Sequence, residues 1–363
     1  MRAIVIGAGV IGASISFRLA EAGADVVVLE ANRIGGGTTG CTYAWINSHN
    51  GAVPIEYHTL RIASRALYPA LQDRFGASWF HPMGYVEFGP SAEFATNVAS
   101  LQARNHPVEW ISPARLAELE PWIDPAAYAD AAIAWYPDDA WLDPVAYAGD
   151  LLLAARSHGA TIHTGARVTA MQNTAGRITG VRLADGVTMG ADIVINAAGR
   201  WSPDIADDPG IKIPMASTLG LLVFTPPVAT GVRRPVHAPG INIRPDGAGR
   251  LLAQSEELDI TVDPLQPLTP TMPQAAEVLR RGTQLLPGLA GIQAEAVRTA
   301  TRPIPADGLP AIGPVPRLDG YYLAVTHSGV TLSPIIGKLV AEELLTGRQS
   351  PLLTTFRPSR FFN

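Results

Sequence analysis

The chain has 363 residues, with 47% apolar and 16% charged side chains and a formal net charge of −5. This length exceeds a single ordinary hydrophobic core, so we expect two domains. The acidic balance argues against a nucleic-acid-binding protein, which needs a basic face, and no apolar run is long enough to cross a membrane.

The first thirty residues carry a dinucleotide-binding pattern. A short apolar run, typical of a buried parallel strand, leads into a glycine triplet, a helical stretch and a second apolar strand that ends at Glu30. Gly7 makes the turn out of the strand, Gly9 lets the backbone approach a pyrophosphate, and Gly12 lets the helix pack closely. The helix N-terminus meets the phosphate charge, and Glu30 accepts hydrogen bonds from ribose hydroxyls.

Further along the chain the pattern changes twice. Residues 33–50 form a glycine-containing loop, and residues 56–75 are predicted to form a helix. From about 81 to 142, short strands alternate with helices and tryptophans accumulate. The strand–helix pattern then resumes with a helix that begins at Asp143-Pro144. The remaining predicted elements are strands at 161–163, 167–172, 192–199, 219–225, 240–244 and 250–254, a helix near 273–286, and a strand, a loop and a final helix within 302–346.

These changes predict an α/β plus α+β protein with an inserted domain. A Rossmann-like cofactor domain is assembled from three chain segments, residues 1–80, 143–212 and 300–363. Residues 81–142 and 213–299 form a substrate domain built on a mostly antiparallel sheet. With Cys41 as the single cysteine and no signal-peptide pattern, we expect a cytoplasmic protein without disulfides, and we predict no metal centre.

Four further stretches give the chain a family resemblance. They are Gly35-Gly36-Gly37-Thr38-Thr39, the small-residue run at 196–202, the segment 301–313, and the segment 327–337. In this order, after the glycine fingerprint, they resemble the D-amino-acid oxidase-like superfamily of flavoenzymes, which includes glycine oxidase, sarcosine oxidase and D-amino-acid dehydrogenase. The resemblance implies bound FAD and oxidation of a C–N bond in an amino acid or related amine. The electron acceptor would be O2 or a redox partner.

The resemblance also implies which residues contact FAD. Small residues near the diphosphate avoid collisions, threonines touch the isoalloxazine edge, and the amides before the final helix face the flavin. The helix itself is expected to start near Leu332-Ser333-Pro334, with Pro334 in its first turn. The implied cofactor residues are Gly7, Gly9, Val10, Ile11, Gly12, Glu30, Ala31, Gly37, Thr38, Thr39, Val168, Ala197, Ala198, Gly199, Trp201, Arg302, Gly329, Val330, Thr331 and Leu332.

Three residues are implied as catalytic: Arg302, His327 and His49. Arg302 lies where the glycine-oxidase branch places the arginine that pairs with the substrate carboxylate, and a structural ion pair is its alternative role. His327 would lie beside the flavin and handle protons, or be a satisfied buried histidine. His49 follows the threonine loop, together with Tyr43, Trp45 and Asn47, whose aromatic members have core packing as their alternative.

Other residues depart from the family pattern or have weaker candidate roles. The C-terminal half lacks the cysteine that attaches FAD in the sarcosine-oxidase branch, and Cys41 fits a small packing residue, so we expect non-covalent FAD. Glycine oxidase has an arginine just after the histidine that matches His327, whereas Ser328 follows here, which puts glycine as the substrate in doubt. Arg244 is a possible second anion contact, but a solvent-facing strand position is expected.

Alternative functions remain open at this stage. A flavin dehydrogenase of a 2-hydroxy acid has a related fold, and a non-catalytic partner subunit can hold FAD for stability or electron relay. A flavin monooxygenase is disfavoured because Thr326-His327-Ser328 stands where a Gly-Asp-Ala segment is usual. A nicotinamide-only dehydrogenase is disfavoured because the C-terminal segments imply a flavin site. The oligomeric state is not indicated.

Overall fold

The computed structural model describes residues 1–47, 53–205 and 212–362. Its strands are β1 Arg2–Ile6, β2 Asp25–Leu29, β3 Trp45–Ile46, β4 Phe80–His81, β5 Tyr85–Gly89, β6 Glu109–Ile111, β7 Ala132–Tyr136, β8 Ala140–Leu142, β9 Thr161–His163, β10 Val168–Thr174, β11 Arg177–Leu183, β12 Thr188–Gly190, β13 Ile193–Asn196, β14 Met215–Phe224, β15 Val236–Ala238, β16 Ile241–Pro245, β17 Leu251–Gln254, β18 Ala296–Pro305, β19 Ala311–Pro314 and β20 Tyr321–Val325. Its helices are α1 Val10–Glu21, α2 Ile55–Arg65, α3 Tyr68–Phe75, α4 Ala92–Ala103, α5 Pro113–Leu119, α6 Pro144–Ser157, α7 Ser202–Ile205, α8 Glu256–Asp259, α9 Pro273–Leu285 and α10 Gly329–Thr346.

A six-stranded sheet organises the first half of the fold. Its strand order is β19-β20-β13-β1-β2-β9, and all neighbouring pairs are parallel except β19 with β20. The strands are apolar because both faces are covered, one by α1, α6 and α10 and the other by the β10-β11-β12 sheet. At the β1–α1 turn, a Cβ on Gly12 would lie 1.9 Å from Gly7 O, so only glycine permits this close packing.

An eight-stranded sheet forms the second half, in the order β18-β14-β17-β16-β15-β5-β7-β6. Its pairs are antiparallel except β5 with β15. The longest pairing joins β14 and β18 over ten residues, from Met215 opposite Pro305 to Phe224 opposite Ala296. Helix α9 covers the sheet with an apolar stripe that includes Val278 and Leu279.

The predicted fold class, a Rossmann-like parallel sheet with an inserted, mostly antiparallel sheet, is confirmed. The six-stranded sheet takes strands from residues 2–29, 161–163, 193–196 and 311–325, and the other from residues 85–136 and 215–305. The domain boundaries proposed from the sequence remain predictions. Within the described part of the chain, no helix is both long enough and apolar enough to cross a membrane.

Two predicted elements are wrong in their bounds. The helix predicted at 56–75 is divided into α2 and α3, because Pro69 has no N–H to donate to the carbonyl of Arg65. The final helix starts at Gly329 rather than near Leu332-Ser333-Pro334, so Pro334 lies inside it instead of in its first turn.

Candidate active site

Two adjoining cavities lie where the carboxyl ends of the parallel strands meet the eight-stranded sheet. One, of about 400 Å³, is lined by the glycine loop and is called the cofactor cavity here. The other, of about 500 Å³, is called the substrate cavity; it is lined by strands of the eight-stranded sheet, the loop after the threonines and the start of α10. Thr38, Thr42, His327, Gly329 and Val330 line both, so a ligand in one cavity borders the other.

The glycine loop packs so closely against its neighbours that it has no room for side chains. Gly7 has φ 102°, and a Cβ there would lie 2.7 Å from Ala197 O. A Cβ on Gly9 would lie 2.9 Å from Thr39 Oγ1. The backbone of this turn can therefore approach a bound group as closely as a pyrophosphate requires.

Glu30 is held in a fixed orientation at the edge of the cofactor cavity. Its Oε2 accepts a 2.9 Å hydrogen bond from Ala8 N, and its Oε1 accepts a 2.8 Å bond from Asn32 N. Each carboxylate oxygen has a further lone pair, so the side chain can still accept hydrogen bonds from ribose hydroxyls.

Most of the predicted cofactor residues line the cofactor cavity. They are Gly7, Gly9, Val10, Ile11, Glu30, Ala31, Gly37, Thr38, Thr39, Val168, Ala197, Ala198, Gly199, Trp201, Gly329 and Val330. Gly12 instead packs against Gly7, Thr331 and Arg302 line the substrate cavity, and Leu332 is buried in the core. Direct contact of each with FAD remains a prediction.

The first turn of α10 offers open hydrogen-bond donors. Among the described residues, the N–H groups of Val330 and Thr331 donate to no protein atom, whereas Leu332 N donates to Ser328 O at 2.9 Å. Unpaired N–H groups at a helix N-terminus carry partial positive charge and suit an electron-rich carbonyl or a developing anion. The glycine turn, the oriented Glu30 carboxylate and these open amides together fit FAD.

Arg302 lies in the wall of the substrate cavity, where its guanidinium is already partly engaged. Its Nη2 donates to Asp259 Oδ2 at 2.6 Å, and its Nη1 donates to Leu219 O at 2.9 Å. The Asp259 side chain is 4% exposed, and that of Arg302 is 22% exposed. The guanidinium rests against Gly220, where a Cβ would lie 2.9 Å from Nη2. Arg302 therefore has a structural ion pair and a cavity-facing position at the same time.

Arg61, on α2, is a second cation in this cavity. It was not identified as a site residue from the sequence. It is 6% exposed, and it donates 2.8 Å hydrogen bonds to Asn47 Oδ1 and Ser328 Oγ. Arg61 belongs to no sequence motif, because α2 lies outside the four stretches that carry the family resemblance.

His327 lines both cavities. Removal from bulk water, reinforced by the positive charges of Arg61 and Arg302, lowers the pKa of its imidazole to about 4. The ring is therefore neutral at physiological pH and accepts a hydrogen bond at one of its nitrogens.

The loop after the threonines contributes to the substrate cavity. Tyr43, Trp45 and Asn47 line it, and Thr331 Oγ1 joins the loop to α10 by 3.3 Å bonds with Asn47 N and Trp45 O. His49 lies outside the described residues.

Arg244 does not face solvent, contrary to the expectation from its strand position. It is buried, its Nε donates to Tyr43 O, and its Nη1 lies 3.3 Å from Asp246 Oδ1. It supports the backbone behind the cavity and does not line it.

Cys41 is half-buried and lines the substrate cavity, not the cofactor cavity. Burial raises the pKa of its thiol, although Arg298 and Arg33 oppose this effect. A protonated thiol is a poor nucleophile, which favours a packing role.

A cavity lined by the dinucleotide-binding turn that borders a second cavity with two arginines is typical of a cofactor-dependent oxidoreductase. Residues 2–343 match the family described as DAO, FAD dependent oxidoreductase. The chain belongs to this family.

Relatives agree with this assignment over nearly the whole chain. The sequence is 27% identical to glycine oxidase of Geobacillus kaustophilus (strain HTA426) over 93% of this chain and 91% of that protein. It is 30% identical to glycine oxidase of Pseudomonas aeruginosa over 96% of this chain and 95% of that protein. The structure superposes on L-proline dehydrogenase from P. horikoshii with a TM-score of 0.87 and 25% identity, covering 99% of this chain and 97% of that one.

The comparisons confirm the prediction of an FAD-dependent oxidoreductase that oxidises a C–N bond of an amino acid or related amine. They favour this reaction over the 2-hydroxy acid alternative.

Proposed function

We propose that the substrate is an amino acid with a free carboxylate, which is bound between Arg61 and Arg302. The observation that carries this proposal is that both arginines line one cavity, which shares His327 and the first turn of α10 with the cofactor cavity. A carboxylate matches the planar donor fork of a guanidinium, so two arginines in one cavity favour a substrate with an acid group over an amine without one.

The protein's own residues orient the substrate. Arg302 is kept in place by Asp259, so the side chain does not have to be ordered when substrate binds. Arg61 is fixed in the same way by Asn47 and Ser328. The neutral imidazole of His327 accepts a hydrogen bond from the substrate amine, which presents the adjacent carbon toward the cofactor cavity.

FAD held by the glycine turn, Glu30 and the first turn of α10 would supply the acceptor for a hydride from the carbon next to the substrate nitrogen. The nitrogen loses a proton, so the products are an imine and reduced flavin, and water then hydrolyses the imine. The open N–H groups of Val330 and Thr331 are placed to stabilise negative charge at the border of the two cavities.

An anaerobic screen tests the proposal. The FAD-loaded protein is mixed with amino acids, with the amines formed by removal of their carboxyl groups, and with 2-hydroxy acids, while flavin absorbance is followed. We expect amino acids to bleach the flavin much faster than the matched amines. Faster bleaching by 2-hydroxy acids, or equal rates for an amino acid and its amine, contradicts the proposal.

Three further assignments belong to this proposal. FAD is bound without a covalent link, because the thiol of Cys41 is protonated and lies in the other cavity; acid precipitation should leave the yellow colour in solution.

The electron acceptor is O2 or a redox partner, and the rate of flavin reoxidation in air distinguishes the two. The single cysteine favours a cytoplasmic location.

A further inference from the structure

Pro334 leaves a carbonyl in the first turns of α10 without its usual partner. In an α-helix the carbonyl of residue 330 accepts from the N–H of residue 334, but proline has no N–H. Val330 O is therefore deprived of its backbone hydrogen bond in a buried region, next to the open N–H groups that line the cavities. A buried carbonyl without a partner is costly, so another donor is required.

Tyr68, the first residue of α3, supplies that donor. Its hydroxyl donates a short hydrogen bond to Val330 O. Tyr68 is fully buried and stacks on Phe80 with ring centroids 5.1 Å apart and an interplanar angle of 10°. Burial raises the pKa of the phenol well above its ordinary value, so the hydroxyl keeps its proton and remains a donor.

Two serines make further hydrogen bonds at the start of α10. Ser64 Oγ, on α2, accepts a 3.3 Å hydrogen bond from Ile335 N, the residue after the proline. Ser333 Oγ lies 3.3 Å from both Val330 O and the hydroxyl of Tyr147. The start of α10 is thus also held by side chains from α2, α3 and α6.

We propose that Tyr68 is a positioning residue for the cofactor site: it takes over the hydrogen bond that Pro334 removes and so fixes the direction of the Val330 and Thr331 N–H groups. The peptide units of this turn are linked, so a tilt of the Val330 carbonyl also turns the neighbouring amide groups. Oriented donors stabilise developing negative charge only while their direction is preset. This inference rests on the cofactor site and does not depend on the identity of the substrate.

The test compares Tyr68→Phe with Tyr147→Phe. Each variant removes one hydroxyl from the same buried cluster, but only Tyr68 bonds to Val330 O. The dissociation constant of FAD and the midpoint potential of the bound flavin are measured for each. We expect Tyr68→Phe to raise the dissociation constant at least fivefold and to shift the potential to more negative values, because reduced flavin loses oriented donors. Tyr147→Phe should change both much less.

Equal effects of the two variants, or a loss of thermal stability in Tyr68→Phe with unchanged FAD affinity and potential, would overturn the proposal. Pro334→Ala adds a second test because it restores the N–H that Val330 O lacks. In that background Tyr68→Phe should weaken FAD binding less than it does in the parent. If Tyr68→Phe alone does not fold, Pro334→Ala should recover folded, FAD-binding protein; failure to recover it, or an unreduced effect, counts against the link between the two residues.

Discussion

Asp259 and Arg302 form an ion pair that joins α8 to β18 in the wall of the substrate cavity. The 2.6 Å bond from Arg302 Nη2 to Asp259 Oδ2 is supplemented by a 2.8 Å bond from Leu221 N to Asp259 Oδ1. The carboxylate compensates part of the positive charge that a substrate would meet. Arg302 is consequently both a part of the fold and a candidate anion contact, and the two roles need separate measurements.

Arg302→Ala is expected to reduce catalytic efficiency toward a carboxylated substrate by more than tenfold while FAD stays bound. It should also lower the free energy of unfolding by about 1–3 kcal/mol, because Asp259 keeps a buried charge without its partner. Steady-state kinetics and urea unfolding measure the two effects. Arg302→Lys should restore only part of the efficiency, since an ammonium lacks the fork. An equal loss for carboxylated and neutral substrates would show that the residue only shapes the fold.

Arg61→Gln is expected to raise KM for a carboxylated substrate roughly ten- to a hundredfold, since a hydrogen bond to a charged group contributes about 1.5–3 kcal/mol. The matched amine without the carboxyl group should be affected much less. Arg65→Gln is the control, because Arg65 lies one turn further along α2 and pairs with Asp138 at 2.6 Å. A similar change in KM for both variants would contradict a direct role for Arg61.

Glu30→Ala is expected to weaken FAD binding and to lower the melting temperature. The variant loses the hydrogen bonds to the ribose. It also leaves the backbone N–H groups of Ala8 and Asn32 without the carboxylate that accepts from them. Excess FAD should restore most of the melting temperature, because ligand binding stabilises the folded state by mass action. Glu30→Gln, which keeps one acceptor oxygen, should be intermediate. Unchanged FAD affinity in Glu30→Ala would remove Glu30 from the ribose site.

His327 should make the protein less stable as the pH falls. Its folded-state pKa of about 4 lies below the ordinary value, so between these two values the unfolded chain binds more protons. The group therefore has little effect above about pH 6.5 and destabilises the fold progressively from there toward pH 4. Urea unfolding at pH 7 and pH 5 should show a larger loss for the parent than for His327→Gln. The same loss in both would mean that the imidazole titrates normally.

The residues that line the cofactor cavity can be predicted from the sequence because their constraints are local. Gly7, Gly9 and Glu30 belong to one short unit whose backbone conformation follows from residue type, and all three line the predicted cavity. The helix bounds were harder to predict. Pro334 is expected in a first turn, where proline is favoured, because the sequence around it does not show that the hydroxyls of Tyr68 and Ser64 make an interior position acceptable.

The substrate half depends on contacts between distant segments, which no short pattern contains. Arg61 is 267 residues from Ser328, and Asp259 is 43 residues from Arg302. From the sequence, Arg244 is expected to face solvent, because strand alternation does not show that Tyr43 and Asp246 surround it. The burial of Arg244 depends on contacts between the eight-stranded sheet and the loop that contains Tyr43.

The ten-residue pairing of β14 with β18 bears on how such a protein can diversify. Arg302 lies on this long ladder, whereas other side chains in the cavity wall, such as Glu87, Tyr136 and His237, come from β5, β7 and β15 at a distance from it. A single substitution on those strands changes the shape offered to the rest of a substrate and leaves the ladder intact. Substrate preference can therefore drift over generations while the position of Arg302 and the strands behind the cofactor cavity are inherited unchanged.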